Sequence, residues 1–372
     1  MRIYLLLMLL AAAVTYLTTP LARWLALRSG AITAVRDRDV HAIPTPRMGG
    51  VAMLLGMVVA MLVASRMPYL EGVFSSHTTW AVLGGAAMVA ALGAADDVWD
   101  LDWFTKLIGQ VLAAGMIAWL GGVQLVSLPI FGVTVPSAQM SLVATVLVVV
   151  VAINAVNFVD GLDGLAAGLV AIGGTGFFVY TYLLTRESTP TDYANEASVV
   201  VAVLVGACVG FLPHNFHPAR IFMGDSGSMV IGLTIAAAGI VVTGNIDPDI
   251  VSQRQQIPAF LPILLPVAVL ILPLLDMGLA VLRRVGAGRS PFHPDRRHLH
   301  HRLLQLGHSH RRAVVIMYLW TALFAFGAAA LAVWTTTTTL WILGAGALAV
   351  LALTLGPLRG KARRPSPTGA PA

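Results

Sequence analysis

Aspartates recur in short clusters along this chain, and their spacing points to phosphate chemistry. In "AADDVWDLDWFTK", residues 94–106, Asp96, Asp97 and Asp100 close an apolar segment. If that segment is helical, Asp96 and Asp100 lie one turn apart on a single face. Carboxylates so grouped can hold a hard divalent cation, or position a phosphate through one. A merely structural role would set negative charge against the helix dipole, at a cost. In "NAVNFVDGLDGLAAG", residues 154–168, Asn154, Asn157, Asp160 and Asp163 gather at the junction of two apolar segments. Helix capping accounts for one Asp there but not for all four polar groups. In "NFHPARIFMGDSGSM", residues 215–229, Asp225 and Ser226 are the expected N-cap residues of the next helix, and Gly224 and Gly227 allow close backbone approach. That suits a phosphate at a helix N-terminus with a cation on Asp225.

Two further features carry ionisable groups. Asp276 interrupts an apolar segment about two turns before Arg283. It is either functional, as intramembrane carboxylates tend to be, or a structural partner for the following loop. The stretch 289–312 holds six of the ten histidines, and His298, His300 and His301 crowd among Arg296, Arg297 and Arg302. His298 and His301 would share a helical face and could bind zinc. The surrounding cations and the lack of nearby Cys or Glu oppose that. His308 and His310 are assigned to a basic loop with no further task.

The elements that must position these residues are membrane helices. Of 372 residues, 58% are hydrophobic and 11% charged, well below the roughly 25% charged of soluble domains. A single Cys, Cys208, excludes internal disulfides and Cys-based zinc clusters. No G-x-S-x-G elbow supports a serine hydrolase. A spanning helix needs about 20 apolar residues. About eleven segments qualify, near 3–26, 48–66, 79–96, 105–121, 139–156, 162–184, 197–213, 227–244, 258–282, 313–334 and 339–356. The expected fold is therefore all-α, a polytopic helical bundle forming one catalytic domain over 1–357, followed by a basic, Pro-rich, disordered tail over 358–372. Of the 23 Lys and Arg, 19 fall on one side, which the positive-inside rule makes cytoplasmic. This puts the N-terminus outside and the C-terminus inside. The same side takes the clustered carboxylates, all of them Asp. The net charge of +6 thus reflects topology, with no nucleic-acid partner implied.

Carboxylates able to hold Mg²⁺ therefore face Arg, Lys and His able to hold phosphates, which is the mixture phosphoryl transfer needs. A site at the lipid boundary implies a lipid substrate. A secondary transporter is the rival from another class, but transporters place ionisable groups near the midplane, often in inverted repeats. A membrane metalloprotease or zinc protein ranks third.

"PTPRMGG", "DDVWDLDWFTK", "NAVNFVDGLDGLAAG", "ARIFMGDSGS" and "SPFHPDRRHLHHRLLQLGHSHRR" resemble, in order, the cytoplasmic motifs of the polyprenyl-phosphate N-acetylhexosamine-1-phosphate transferases, the MraY/WecA superfamily. The resemblance spans roughly residues 28–315. "PDRRHLHHRL" is similar to the branch that uses UDP-GlcNAc rather than UDP-MurNAc-pentapeptide. Met277 departs from the Thr usual after the intramembrane Asp. The resemblance implies attack by polyprenyl phosphate on the β-phosphorus of UDP-GlcNAc, with UMP released, in the plasma membrane at its cytoplasmic face. It implies Mg²⁺, replaceable by Mn²⁺, on Asp225 with Asn157 as a second ligand. Phe222 would stack on uracil and Asp163 would contact the nucleotide. Lys106, Arg302, His298, His300 and His301 would clamp the diphosphate, with Arg47 and Arg297 near sugar or phosphates. Asp96 and Asp97 would sit by the lipid phosphate, and Asp160 and Asn154 would join the same site. A homodimer is compatible with the sequence, which does not fix the oligomeric state.

Overall fold

The computed structural model describes residues 1–33, 44–126, 128–129, 133–134, 136–188, 195–244, 261–288, 290 and 298–356. The chain runs through helices α1 (Arg2–Ser29), α2 (Gly49–Ala64), α3 (Glu71–Ser75), α4 (His77–Trp99), α5 (Trp103–Leu120), α6 (Ala138–Val159), α7 (Leu165–Ser188), α8 (Glu196–Asn215) and α9 (Gly224–Gly244). It continues through α10 (Leu261–Val269), α11 (Ile271–Gly286), α12 (Leu299–Gln305), α13 (His310–Ala330) and α14 (Thr336–Leu355). A 3-10 turn, Pro68–Leu70, and two hairpins of two-residue strands, Ile32–Thr33 with Thr45–Pro46 and Leu128–Pro129 with Val133–Thr134, complete the described elements.

Among the described residues nine helices are long and apolar enough to cross a membrane: α1, α4 to α9, α13 and α14. The other two expected spans take different forms. Helix α2 has 16 residues, and the helical segment Pro68–Ser75 that follows is bent by 101° against it. The segment expected as one span over 258–282 breaks at Leu270 into α10 and α11. Pro273 explains the break, because it has no N–H for the Val269 carbonyl and its ring would clash with that group. The tail beyond residue 356 lies outside the described residues.

Helix α9 is the axis of the bundle. Its apolar window is fully buried, and α2, α4, α6, α8 and α10 pack around it. Large apolar side chains remain exposed on the outer helices, among them Leu17, Trp119, Leu282 and Trp341. A bundle solvated by lipid tails tolerates this. The consequence for function is geometric. The N-terminus of the buried central helix lies where the C-terminal ends of α4 and α6 and the N-terminal ends of α2 and α5 converge.

Candidate active site

The convergence begins at a helix cap. Gly224 starts α9 with φ +70°, and a Cβ there would meet the Asp97 carboxylate. With that space open, Asp97 reaches in from α4. Its Oδ1 accepts the Asp225 N–H at 3.0 Å, and its Oδ2 accepts the Ser226 hydroxyl at 3.0 Å and the Ser226 N–H at 3.4 Å. The capping oxygens expected from Asp225 and Ser226 thus come from another helix. Gly93 of α4 and Gly50 of α2 press on the same first turn, where any Cβ would collide with the backbone of residues 225–227. This packing frees the Asp225 side chain for other partners.

Asp225 uses that freedom in two directions. Its Oδ1 accepts from the Asn157 amide at 2.8 Å, and the same amide nitrogen donates to Ser228 Oγ at 3.0 Å. Asn157 therefore presents nitrogen to Asp225. The second oxygen, Oδ2, lies 3.2 Å from Lys106 Nζ, which is also 3.2 Å from Asp96 Oδ2. Lys106 is set by the start of α5, where Asp102 caps the helix by accepting from the Phe104 and Thr105 N–H groups. Hydrogen bonds from Thr105, hydroxyl and amide, hold the Asp102 carboxyl below the usual range. One ammonium thus bridges two buried or half-buried carboxylates, as a cation would. The oxygen-only donors of Asp96 and Asp225 fit a hard divalent ion, which takes carboxylate oxygens alongside substrate oxygens and water.

The turn between α6 and α7 forms the next wall. Asp160 ends α6, and its carboxyl is pushed up to about 7, first by burial and then by the charges of Asp225 and Asp97. The nearby Arg47 charge opposes this shift. Asn215 binds this turn to the loop before α9, accepting the Gly164 N–H at 3.0 Å and donating to the Ile221 carbonyl at 2.9 Å. The 44–50 loop is laced to the same segment, with Phe222 N–H donating to the Pro46 carbonyl and Gly49 N–H to the Phe222 carbonyl. Buried Asp163 accepts from the Ala219 N–H and pairs with His217 Nδ1 at 2.7 Å. His310 stacks on His217 with ring centroids 4.5 Å apart. Asp163, His217 and His310 offer ligand atoms within 4.8 Å of one another. They border a cavity of about 700 Å³ that Arg23, Thr45 and Arg220 also line.

The histidine stretch forms short helix α12. His300 is buried and packs on Gly161, where a Cβ would lie 2.6 Å from the ring. Burial first, then the charge of His301, lowers its pKa to about 3, so His300 enters as a neutral ring rather than a cation. His298 stacks parallel to it at 5.6 Å, and His301 lies 4.4 Å from it. Arg302 is exposed on the same helix, while Arg297 lies outside the described residues. His308 points elsewhere, its Nε2–H donating to the Thr354 carbonyl at 2.8 Å.

Asp96, Asp97, Lys106, Asn157, Asp160 and Asp225 thus meet around the start of α9, with Arg47 and the histidine helix beside them. Asn154 turns away, tying α6 to α5 through Gln110 at 2.7 Å. Sequence reasoning passed over Asn215 and His217, although both stand in the "NFHPAR" motif. It also assigned His310 to topology, whereas its ring lies in the Asp163 cluster.

The description Glycosyl transferase family 4 matches residues 79–243, the portion from α4 through α9. The decaprenyl-phosphate N-acetylglucosaminephosphotransferase of Mycolicibacterium smegmatis is 45% identical over 352 residues, 94% of this chain and 87% of that protein. The protein of that name from Mycobacterium tuberculosis is 46% identical over 86% of this chain and 80% of its own length. A probable undecaprenyl-phosphate N-acetylglucosaminyl 1-phosphate transferase of Bacillus subtilis is 32% identical over 83% and 80%. With an extended match of this kind, and with the motif residues gathered at one end of a membrane bundle, the chain belongs to the polyprenyl-phosphate N-acetylhexosamine-1-phosphate transferases of the MraY/WecA superfamily.

Proposed function

We propose that this membrane enzyme transfers N-acetylglucosamine 1-phosphate from UDP-GlcNAc to a polyprenyl phosphate, undecaprenyl or decaprenyl, and releases UMP. The product, polyprenyl-diphosphate-GlcNAc, is the first lipid-linked intermediate of a cell-envelope polysaccharide. The observation that carries this reading is Lys106 bridging Asp96 and Asp225 at the capped start of α9, beside the histidine helix. The names of the relatives supply the sugar and the lipid. The segregation of basic residues supports a cytoplasmic site in the plasma membrane.

The chemistry follows from charge. The nucleophile is a phosphate monoester with a second pKa of about 6, largely a dianion at pH 7. Positioning and charge stabilisation, rather than proton removal, are then what the protein must supply. Asp97 suits positioning, since both of its oxygens are engaged by α9. Asp225, with Asp96 opposite, would hold Mg²⁺, or Mn²⁺ in its place, and that ion would neutralise diphosphate charge as UMP departs. Lys106, His298, His301 and Arg302 face the diphosphate. Phe222 and Asp163 hold the nucleoside, and Arg47 and Arg297 the sugar or its phosphates.

Release of UMP by the purified protein in detergent, with and without polyprenyl phosphate, tests this. Lipid-dependent release from UDP-GlcNAc is expected. Release from another UDP-HexNAc or UDP-MurNAc-pentapeptide instead would change the donor, and no lipid-dependent release from any of them would overturn the reaction.

A further inference from the structure

Asp276 stands apart from the cluster around α9, and the proposed reaction assigns it nothing. It lies on α11 and is 1% exposed, so its carboxylate is buried. Buried carboxylates are costly unless hydrogen-bonded. Both of its oxygens are used, and both reach the first residues of the histidine helix. Oδ1 accepts the Leu299 N–H at 2.8 Å, and Oδ2 lies 3.2 Å from His298 Nδ1. His298 is the N-cap position of α12, yet its own side chain does not cap the helix. Asp276 takes over that duty from 22 residues upstream.

The contacts around His298 restrict it from the remaining sides. The ring lies parallel to His300, whose own ring rests on Gly161 of the catalytic turn. Phe158 meets it edge-on at 5.8 Å, and the Arg284 guanidinium covers the Phe158 ring at 5.3 Å. Packing therefore sets the plane of the imidazole, and Asp276 sets which ring nitrogen carries hydrogen. An acceptor-only carboxylate at Nδ1 requires the proton there. Nε2, on the opposite edge, is then the nitrogen left for substrate.

We infer that Asp276 is a positioning residue for the phosphotransfer: it caps the histidine helix and fixes the Nδ1–H form and orientation of His298 toward the sugar diphosphate. The inference deepens the proposed function and rests on it for the identity of the diphosphate. It also bears on the two uses left open for this residue in the sequence, because among the described residues its partners are His298 and Leu299 of the histidine helix. A carboxylate that holds a histidine tautomer in this way typically changes activity about 10- to 100-fold when removed.

Asp276→Asn discriminates a positioning role from a purely structural one. Asn keeps an oxygen for the Leu299 N–H, so α12 stays capped. Its amide group, however, donates to Nδ1 and drives the imidazole proton to Nε2. The expected result is a fall in kcat of about 10- to 100-fold with KM for UDP-GlcNAc within about twofold and the melting temperature unchanged. In a His298→Ala background the same substitution should cost nothing further, since the two residues act as a unit. Multiplicative losses would overturn the inference. A second measurement needs no substrate: carbethoxylation of His298 by diethyl pyrocarbonate, followed by mass spectrometry. Asp276→Asn should slow labelling of His298 several-fold, because the free ring lone pair becomes occupied, while His308 labelling stays constant. Equal His298 rates would refute the pairing. A wild-type protein that turned over no UDP-sugar would sink the proposed reaction and leave this labelling test to decide the pairing.

Discussion

Replacing Asp97 by Asn removes one charge and little volume, so it asks whether this carboxylate works as a base or as a strut. The structure gives the strut an energy. If the Asn oxygen takes the Oδ1 position, the Asp225 N–H bond of 3.0 Å is retained. The Ser226 hydroxyl can fall back on the Met223 carbonyl, 3.1 Å away. The Ser226 N–H is left facing an amide nitrogen, and a buried donor without an acceptor costs about 1–3 kcal/mol. Loss of negative charge at the start of α9 costs roughly 0.3–1 kcal/mol, but it also removes the repulsion of Asp97 by the Asp225 and Asp160 carboxylates, and the two effects offset. Asp97→Asn should therefore destabilise the protein by about 1–3 kcal/mol, through the unsatisfied Ser226 N–H, and lower its melting temperature in detergent. The shift of the first α9 turn moves Asp225, and a displacement of about 1 Å in such a site can cost 10²-fold in rate. The pH–rate profile should keep its wild-type shape, scaled down uniformly. A profile that loses its acid limb, in a variant that melts like the wild type, would show Asp97 to be a base and refute the strut.

Other substitutions separate the neighbouring roles. His300 is held neutral, so the unfolded chain binds a proton below about pH 6.5 that the folded chain refuses until about pH 3. Stability should drop by up to about 1.4 kcal/mol per pH unit through that window. His300→Gln should flatten this dependence in detergent melting curves, and an unchanged slope would contradict the neutral ring. Asp160 has the opposite sign: its folded pKa of about 7 exceeds the ordinary carboxyl value of 3.8, so ionisation is disfavoured in the fold and stability is lost as pH rises toward 7. Asp160→Asn should raise the melting temperature more at pH 8 than at pH 4, whatever it does to the rate. Lys106→Met leaves the Asp96 and Asp225 carboxylates facing each other without their shared ammonium. Activity should fall by at least 10²-fold, with a changed Mg²⁺ dependence in EDTA-treated protein titrated with the metal; a near-wild-type rate would remove Lys106 from the site. His308→Ala should cost about 1 kcal/mol of stability through its lost bond to Thr354, with little effect on kcat/KM, whereas His310→Ala should weaken donor binding through His217 and Asp163.

The helical class and most spans were readable from apolar length alone, because a bilayer demands long uninterrupted segments. The break at Leu270 was also written in the sequence, in Pro273, but an apolar window does not distinguish one long helix from two short ones. Local motifs brought Asp96, Asp160 and Asp163 forward because carboxylates cluster there within a few residues, and Asp225 because glycines flank it at an expected helix start. Contacts made across the fold left no such trace. Asp97 caps a helix 128 residues downstream, and no spacing rule connects the two. Asp276 and His298 are separated by a loop whose path the sequence does not specify. His310 looked like one more basic-loop residue until α13 brought it over His217. Conversely, Asn154 has the same chemistry as Asn157, but one helical turn separates them, and its amide meets Gln110 instead of the carboxylates.

Transfer of the sugar together with its phosphate to the lipid defines the proposed reaction. UDP-GlcNAc carrying ³²P at the β-phosphate and ¹⁴C in the sugar, incubated with the purified protein and polyprenyl phosphate, reads this directly in the organic extract. Equal molar ³²P and ¹⁴C in the lipid, matched by UMP in the aqueous phase, is the predicted result. Sugar label in the lipid without ³²P, accompanied by UDP, would contradict the mechanism, and absence of both labels from the lipid would contradict the proposed function.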